Sequence, residues 1–190
     1  MEGGATLSVG TPHGPFFMRH VPPDMDGLLA DIVRQRALIA DARAAGSKAG
    51  ELEAMTALGH ELFMSGQEIE AAPQLDAALV LARKRGDERG EIEVLLGLAT
   101  ARQYLGEREL AQRLFGEALA LCESSGIREQ EHFLLHHRGR CYVEQGLLPE
   151  AKAAFEAALT IRKGLENKRF MNSSQAALAD PVFHPAKRKP

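Results

Sequence analysis

The chain has 190 residues, of which 45% are hydrophobic, 26% charged and 5% aromatic with no Trp, and its formal net charge is −3. That length supports a domain with a real core, and the charge supplies no field for general attraction to nucleic acid or an anionic membrane. Two cysteines, Cys122 and Cys141, are too few for a disulfide framework and both lie in apolar stretches, which fits a reduced, cytoplasmic protein.

In chain order, residues 1–24 carry Gly3, Gly4, Gly10, Gly14, Pro12, Pro15, Pro22 and Pro23 and read as a flexible arm. The arm lacks the basic start and sustained apolar core of a secretory signal. No apolar run anywhere approaches the roughly 20 residues that span a bilayer. Ala and Leu dominate the chain beyond residue 24, and both form helices well and strands poorly, so the fold class is all-α. Helices are expected over 25–45, 49–64, 70–85, 89–105, 108–124, 129–145, 149–163 and 167–179. Pro73 falls where the third of these should be under way, so it must either lie near the first turn, with the helix starting late, or kink the helix. Residues 181–190 read as a tail, and the one basic run, Lys187-Arg188-Lys189, as solvated.

A repeat underlies this order. Gly66, Gly106 and Gly146 share a 40-residue interval, and Gly46, Gly86 and Gly126 share it half a period out of step. Other columns agree once the period is set: Ala71, Ala111 and Ala151; Leu75, Phe115 and Phe155; Ala78, Ala118 and Ala158. Each unit reads as helix, turn, helix, turn, with glycine ending a helix at positive φ. The small columns let antiparallel helices approach to about 8 Å. Burying each Phe beside them contributes roughly 1.5–3 kcal/mol.

These columns resemble the tetratricopeptide repeat. Leu58-Gly59, Gly66, Ala71, Leu75 and Ala78 carry the likeness in the first unit. Leu98-Ala99, Gly106, Ala111, Phe115 and Ala118 carry it in the second, and Gly139, Tyr142, Gly146, Ala151, Phe155 and Ala158 in the third. The period exceeds the family's usual 34 or so, the family's Trp is replaced by Met55, Leu95 and Leu135, and its Pro after the second helix is missing. Such long-period arrays look like those of large bacterial regulators. HEAT-type repeats are the rival architecture, and the Gly and Ala columns favour the tetratricopeptide reading. The resemblance implies a right-handed α-solenoid of antiparallel helix pairs over 25–180. Its units are about 52–91, 92–131 and 132–171, preceded by a half unit at 25–45.

By the same resemblance the inner face of each first helix is a peptide groove. Register assigns it Glu53, Thr56, His60 and Met64; Glu93, Leu96, Thr100 and Tyr104; and Phe133, His136, Arg140 and Glu144. Carboxylate-gripping members of the family use paired Lys and Asn at these columns, and none stands here. The strongest candidates are His60, Met64, Thr100, Tyr104, Phe133, His136, Arg140 and Glu144. His136 and Arg140, one turn apart beside Tyr104 and Phe133, suit an acidic or aromatic segment.

The cluster His132, His136, His137 and Cys141 invites a metal reading, but its pairs fall on different helix faces without further ligand spacing, so a polar helix flank with His137 partly buried is expected. His60-Glu61 lacks the second His of a zinc-protease helix, and no G-x-S-x-G, P-loop or G-x-G-x-x-G occurs. The expectation is therefore a non-enzymatic adaptor or regulatory module without cofactor or metal. Its partner is a protein or peptide, with no nucleic acid and no membrane. Homodimerisation through the terminal helices, and sensing of a peptide or small ligand, are the alternatives.

Overall fold

The computed structural model describes residues 16–19 and 22–184. It contains helices α1 (Met25–Ala44), α2 (Lys48–Met64), α3 (Glu68–Arg85), α4 (Glu88–Tyr104), α5 (Arg108–Ser125), α6 (Glu131–Glu144), α7 (Leu148–Gly164) and α8 (Lys168–Leu178). A 3-10 turn lies beyond them at Pro181–Phe183, and no strand occurs among the described residues. Every helix end lies within two residues of the expected one. The architecture is all-α, built from consecutively packed antiparallel helix pairs. Contacts separate two compact units, α1–α5 (residues 22–130) and α6–α8 (residues 131–184 with 16–19). In the first, neighbouring helices pack in chain order and α2 also packs on α4. In the second, α6 packs on α7 and α7 on α8.

The turns explain the glycine grid. After α3, Gly86 adopts φ +63°, and the N–H of Asp87 reaches back to the Ala82 carbonyl at 3.1 Å. This closes the helix end with its carbonyls satisfied, in a conformation that costs a side-chain-bearing residue about 1–2 kcal/mol. Positive φ recurs at Gly46, Gly66, Gly106, Gly126 and Gly146, one every 20 residues. The next beat falls on Glu166, which takes φ +53° without being glycine. The first helices of pairs start differently: Ser47 and Asp87 accept hydrogen bonds from the N–H groups of Gly50 and Gly90, and so cap α2 and α4.

Ala71, Ala78, Ala111, Ala118, Ala151 and Ala158 are all 0% exposed, as are Leu75, Phe115 and Phe155. In the α2/α3 and α6/α7 pairs a glycine on the first helix makes a close approach to its partner. A methyl at Gly59 would stand 2.4 Å from Leu75 Cγ, and one at Gly139 2.8 Å from Phe155 Cε1. Small residues on one helix thus admit a large one from its partner, and the alanines fill the remaining space.

Three expectations are corrected. Helix α3 does not start late: it runs from Glu68 with Pro73 inside it. Pro73 and Ile69 both lie on the exposed side, where water can hydrogen-bond the Ile69 carbonyl that Pro73 leaves without a donor. Residues 16–19 are not a loose arm, because Phe17 is buried with Val143, Ala151, Phe155 and Ala177. Nor does the tail begin at 181, since Val182 and Phe183 pack against that same cluster. The rest of the arm (1–15, 20 and 21) and residues 185–190, including the basic run, lie outside the described residues.

Candidate functional site

In the α1–α5 unit, the register that buries the alanines turns the opposite side of α2 and α4 toward a shared groove. The groove has a volume of about 530 Å³ and is lined by Glu53, Thr56 and His60 of α2, by Arg89, Glu93 and Leu96 of α4, and by Gln130. A second recess, of about 600 Å³, lies between α1 and α2 and shares Glu53 and Ala57 with the first. Glu53 is exposed and has no hydrogen bond or ion pair among the described residues. Among the described residues the Glu93 carboxylate receives only a long 3.4 Å bond from Gln130 Nε2, while Arg89 pairs with Glu129 at 2.7 Å. The groove therefore carries weakly engaged acceptor charge. His60 closes its floor. Its Nε2 is buried without a hydrogen-bond partner, at a spot where a methyl on Gly97 would stand 2.4 Å away. Burial holds this imidazole below its ordinary pKa, against the raising influence of the Glu93 backbone, so at neutral pH it is uncharged.

The α6–α8 unit uses the equivalent face differently. Arg140 donates from Nε to the carbonyl of Phe17 at 2.8 Å, and Glu144 Oε1 accepts the Phe17 N–H at 3.0 Å. Two side chains on successive turns of α6 thus hold both polar backbone groups of one residue, while the Phe17 ring enters the apolar cluster with its centroid 6.2 Å from that of Phe155. Met18 adopts φ +51° to complete the bend.

The same unit contains a polar centre that the sequence does not announce. Arg162 of α7 is 1% exposed and has no carboxylate partner among the described residues. Neutral acceptors surround it instead: His132 Nδ1 at 3.2 Å, His136 Nδ1 at 3.2 Å, the Phe170 carbonyl at 3.0 Å, Ser173 Oγ at 3.0 Å and Ser174 Oγ at 2.7 Å. The rings of Phe133 and Phe170 lie 5.8 and 5.5 Å from its guanidinium carbon and add cation–π attraction. Burial lowers the Arg162 pKa to about 10, which leaves it charged at neutral pH. Burial, and then the Arg162 charge, push His132 down to about 4 and His136 well below its usual value. Both imidazoles are thus neutral, as acceptors of guanidinium N–H bonds must be.

The expected groove residues therefore divide. His60 lines the α2/α4 groove, and Glu53, Thr56, Glu93 and Leu96 from the wider register set line it too. Thr100 and Tyr104 do not: both are buried, Thr100 bonding the Leu96 carbonyl and Tyr104 meeting Phe63 edge-on at 6.1 Å. Met64 is half-buried and outside the groove. Phe133 packs tilted against His132 and edge-on against Phe170, with ring centroids at 4.0 and 4.8 Å. His136 is buried on Arg162, and Arg140 and Glu144 are engaged with Phe17. As open contact points Thr100, Tyr104, His136 and Arg140 are withdrawn, because packing against neighbouring elements covers them. The polar flank expected of the His cluster is corrected as well. His132 and His136 are interior (4% and 8% exposed), and only His137 is partly buried. No group of three or more His, Cys, Asp or Glu among the described residues is placed to hold a metal ion, and no described helix is long and apolar enough to cross a membrane.

Known proteins share this architecture. Residues 90–164 match the family model described as tetratricopeptide repeat, and no curated protein sequence matches the chain. Among solved structures, the nearly identical TPR-like repeats of a provisionally assigned Podosopora anserina kinesin light chain superpose with a TM-score of 0.56 at 16% identity, covering 86% of this chain and 88% of that one. A second crystal structure, of a single-substitution variant of the same protein, gives 0.57 at 16% identity, over 87% and 88%. Small columns, glycine turns, helix pairing and the family match agree: residues 90–164 match the tetratricopeptide repeat, and the helix pairs on either side share its TPR-like fold.

Proposed function

We propose that the chain is a protein-interaction module that binds an extended polypeptide segment along the groove between α2 and α4. The observation carrying this reading is convergence. Five inner-face positions assigned by register (Glu53, Thr56, His60, Glu93 and Leu96) line one open groove, and repeat arrays of this kind work through such faces. The lining favours a segment that brings basic or amide donors to Glu53 and Glu93 and an apolar side chain to Leu96. The role is non-catalytic, and the setting is the cytoplasm.

The test places a photo-crosslinking amino acid at Glu53 or Leu96 in the full chain, and at the exposed Lys84 of α3 as a control, in the native cell. A partner crosslinked from Glu53 and Leu96 and not from Lys84 is the expected result. Equal yield from all three positions removes the groove from consideration.

A second reading has its own observation. Met25, Leu29 and Val33 stand one turn apart along α1 with 38%, 44% and 66% exposure, an apolar stripe suited to a second copy. Light scattering over a concentration series decides it. A dimer abolished by Val33→Glu supports it, and a monomer at all concentrations removes it.

A further inference from the structure

We propose that the face built by α6, α7 and α8 is a second recognition site, specific for an extended segment that carries phenylalanine, and that residues 16–19 of this chain are its resident occupant, displaced by a partner segment of the same chemistry. The proposal is independent of the α2/α4 groove.

The contacts are those of a receptor with a peptide. Arg140 and Glu144 read the carbonyl and N–H of Phe17, groups that every residue except proline presents, so they fix position and direction without selecting a side chain. Selection lies in the ring pocket. Val143, Ala151, Phe155 and Ala177 form its walls, and Tyr142 and Phe183 close its rim. Every wall residue is apolar, so a phenyl ring fits where a charged side chain meets an uncompensated desolvation cost.

Two features mark residues 16–19 as an occupant and not part of the repeat framework. The segment contacts α6 across 123 and 127 positions of sequence and belongs to no helix pair. Its bend also requires Met18 at φ +51°, a conformation side-chain-bearing residues seldom adopt. The framework turns give that conformation to glycine in six of seven cases, with Glu166 the exception. A tethered occupant acts at an effective concentration on the order of millimolar, so the site stays filled until a competitor of higher affinity or abundance arrives.

The experiment uses a fluorescent peptide spanning residues 14–21, blocked at both ends, titrated into the full-length wild type and into full-length Phe17→Ala by polarisation. Vacating the site should tighten peptide binding at least tenfold in Phe17→Ala, and a peptide with Ala in place of Phe17 should bind neither protein. The proposal is overturned if folded Phe17→Ala, verified by its helical circular dichroism, binds the two peptides equally or not at all. If Phe17→Ala fails to fold, amide hydrogen exchange on the wild type decides. Excess peptide should accelerate exchange at Phe17 and Met18 while α6–α8 remain protected, and unchanged exchange overturns the idea. None of these outcomes bears on crosslinking from Glu53, so the two proposals fail separately.

Discussion

In the α1–α5 unit, five of the eight inner positions of α2 and α4 (Glu53, Thr56, His60, Glu93 and Leu96) face an open groove, whereas Met64, Thr100 and Tyr104 toward the helix ends do not. In the α6–α8 unit, the inner positions of α6 carry Phe133, His136, Arg140 and Glu144. Each of these is engaged, by α8, by Arg162 or by Phe17. The framework beneath is common to both, with the same buried alanines and the same glycine turns. Repeat register therefore determines which residues point to the inner face but not whether that face is vacant. Vacancy depends on what else in the fold can reach it. The first face, with Glu53, Thr56 and Glu93 along it, stays open, whereas on the second the rings and guanidinium groups are covered by neighbouring elements.

The comparison can be broken most sharply at Arg162. Replacing it by Ala should cost about 3 kcal/mol in urea denaturation, since His132, His136, Ser173 and Ser174 lose a donor they were folded around. A loss below about 0.5 kcal/mol would show the polar centre to be incidental. The shared framework is probed by Ala111→Leu, where overpacking between α4 and α5 should destabilise by about 2 kcal/mol. A neutral outcome there would contradict the helix pairing.

Acid should act through the buried histidines of both units, His60 in α1–α5 and, with the Arg162 charge adding to burial, His132 and His136 in α6–α8. The unfolded chain protonates its histidines near pH 6.5, whereas folded His132 resists until about pH 4 and His136 until well below its usual value. Over that window the unfolded state binds more protons, so stability is intact above it and falls as pH drops, by about 2 kcal/mol from His132 alone between pH 6.5 and 4.5, with His136 acting in the same direction. A His132→Gln variant with the same pH slope as wild type would remove this explanation.

The turn after α7 offers a smaller gain. Glu166→Gly should raise stability by about 1 kcal/mol, by relieving the one framework turn where a side-chain-bearing residue holds positive φ. Smallest of all, Glu53→Ala should change stability by no more than about 0.5 kcal/mol, as expected of an exposed position kept for contact and not for folding. A larger loss would mean the α2/α4 groove is structural after all.

Chain order and period alone determined the helices, their ends and the buried columns. Helix propensity, glycine at the turns and small residues at fixed spacing are local properties that repeat along the chain, so Ala71, Ala111 and Ala151 could be placed in the interior before any coordinates. Tertiary structure decided the fate of the inner face. Arg162 sits in the last turn of its helix, where a cation ordinarily serves the helix dipole, and nothing nearby in sequence says that His132, His136, Ser173 and Ser174 will enclose it. Phe17 likewise lies in a Gly- and Pro-rich stretch with no periodicity of its own. Its seat exists only because α6 and α7 bring Arg140, Glu144 and Phe155 together more than 120 residues away. Solvation and charge balance depend on atoms gathered from distant parts of the chain, and a one-dimensional pattern does not contain that sum.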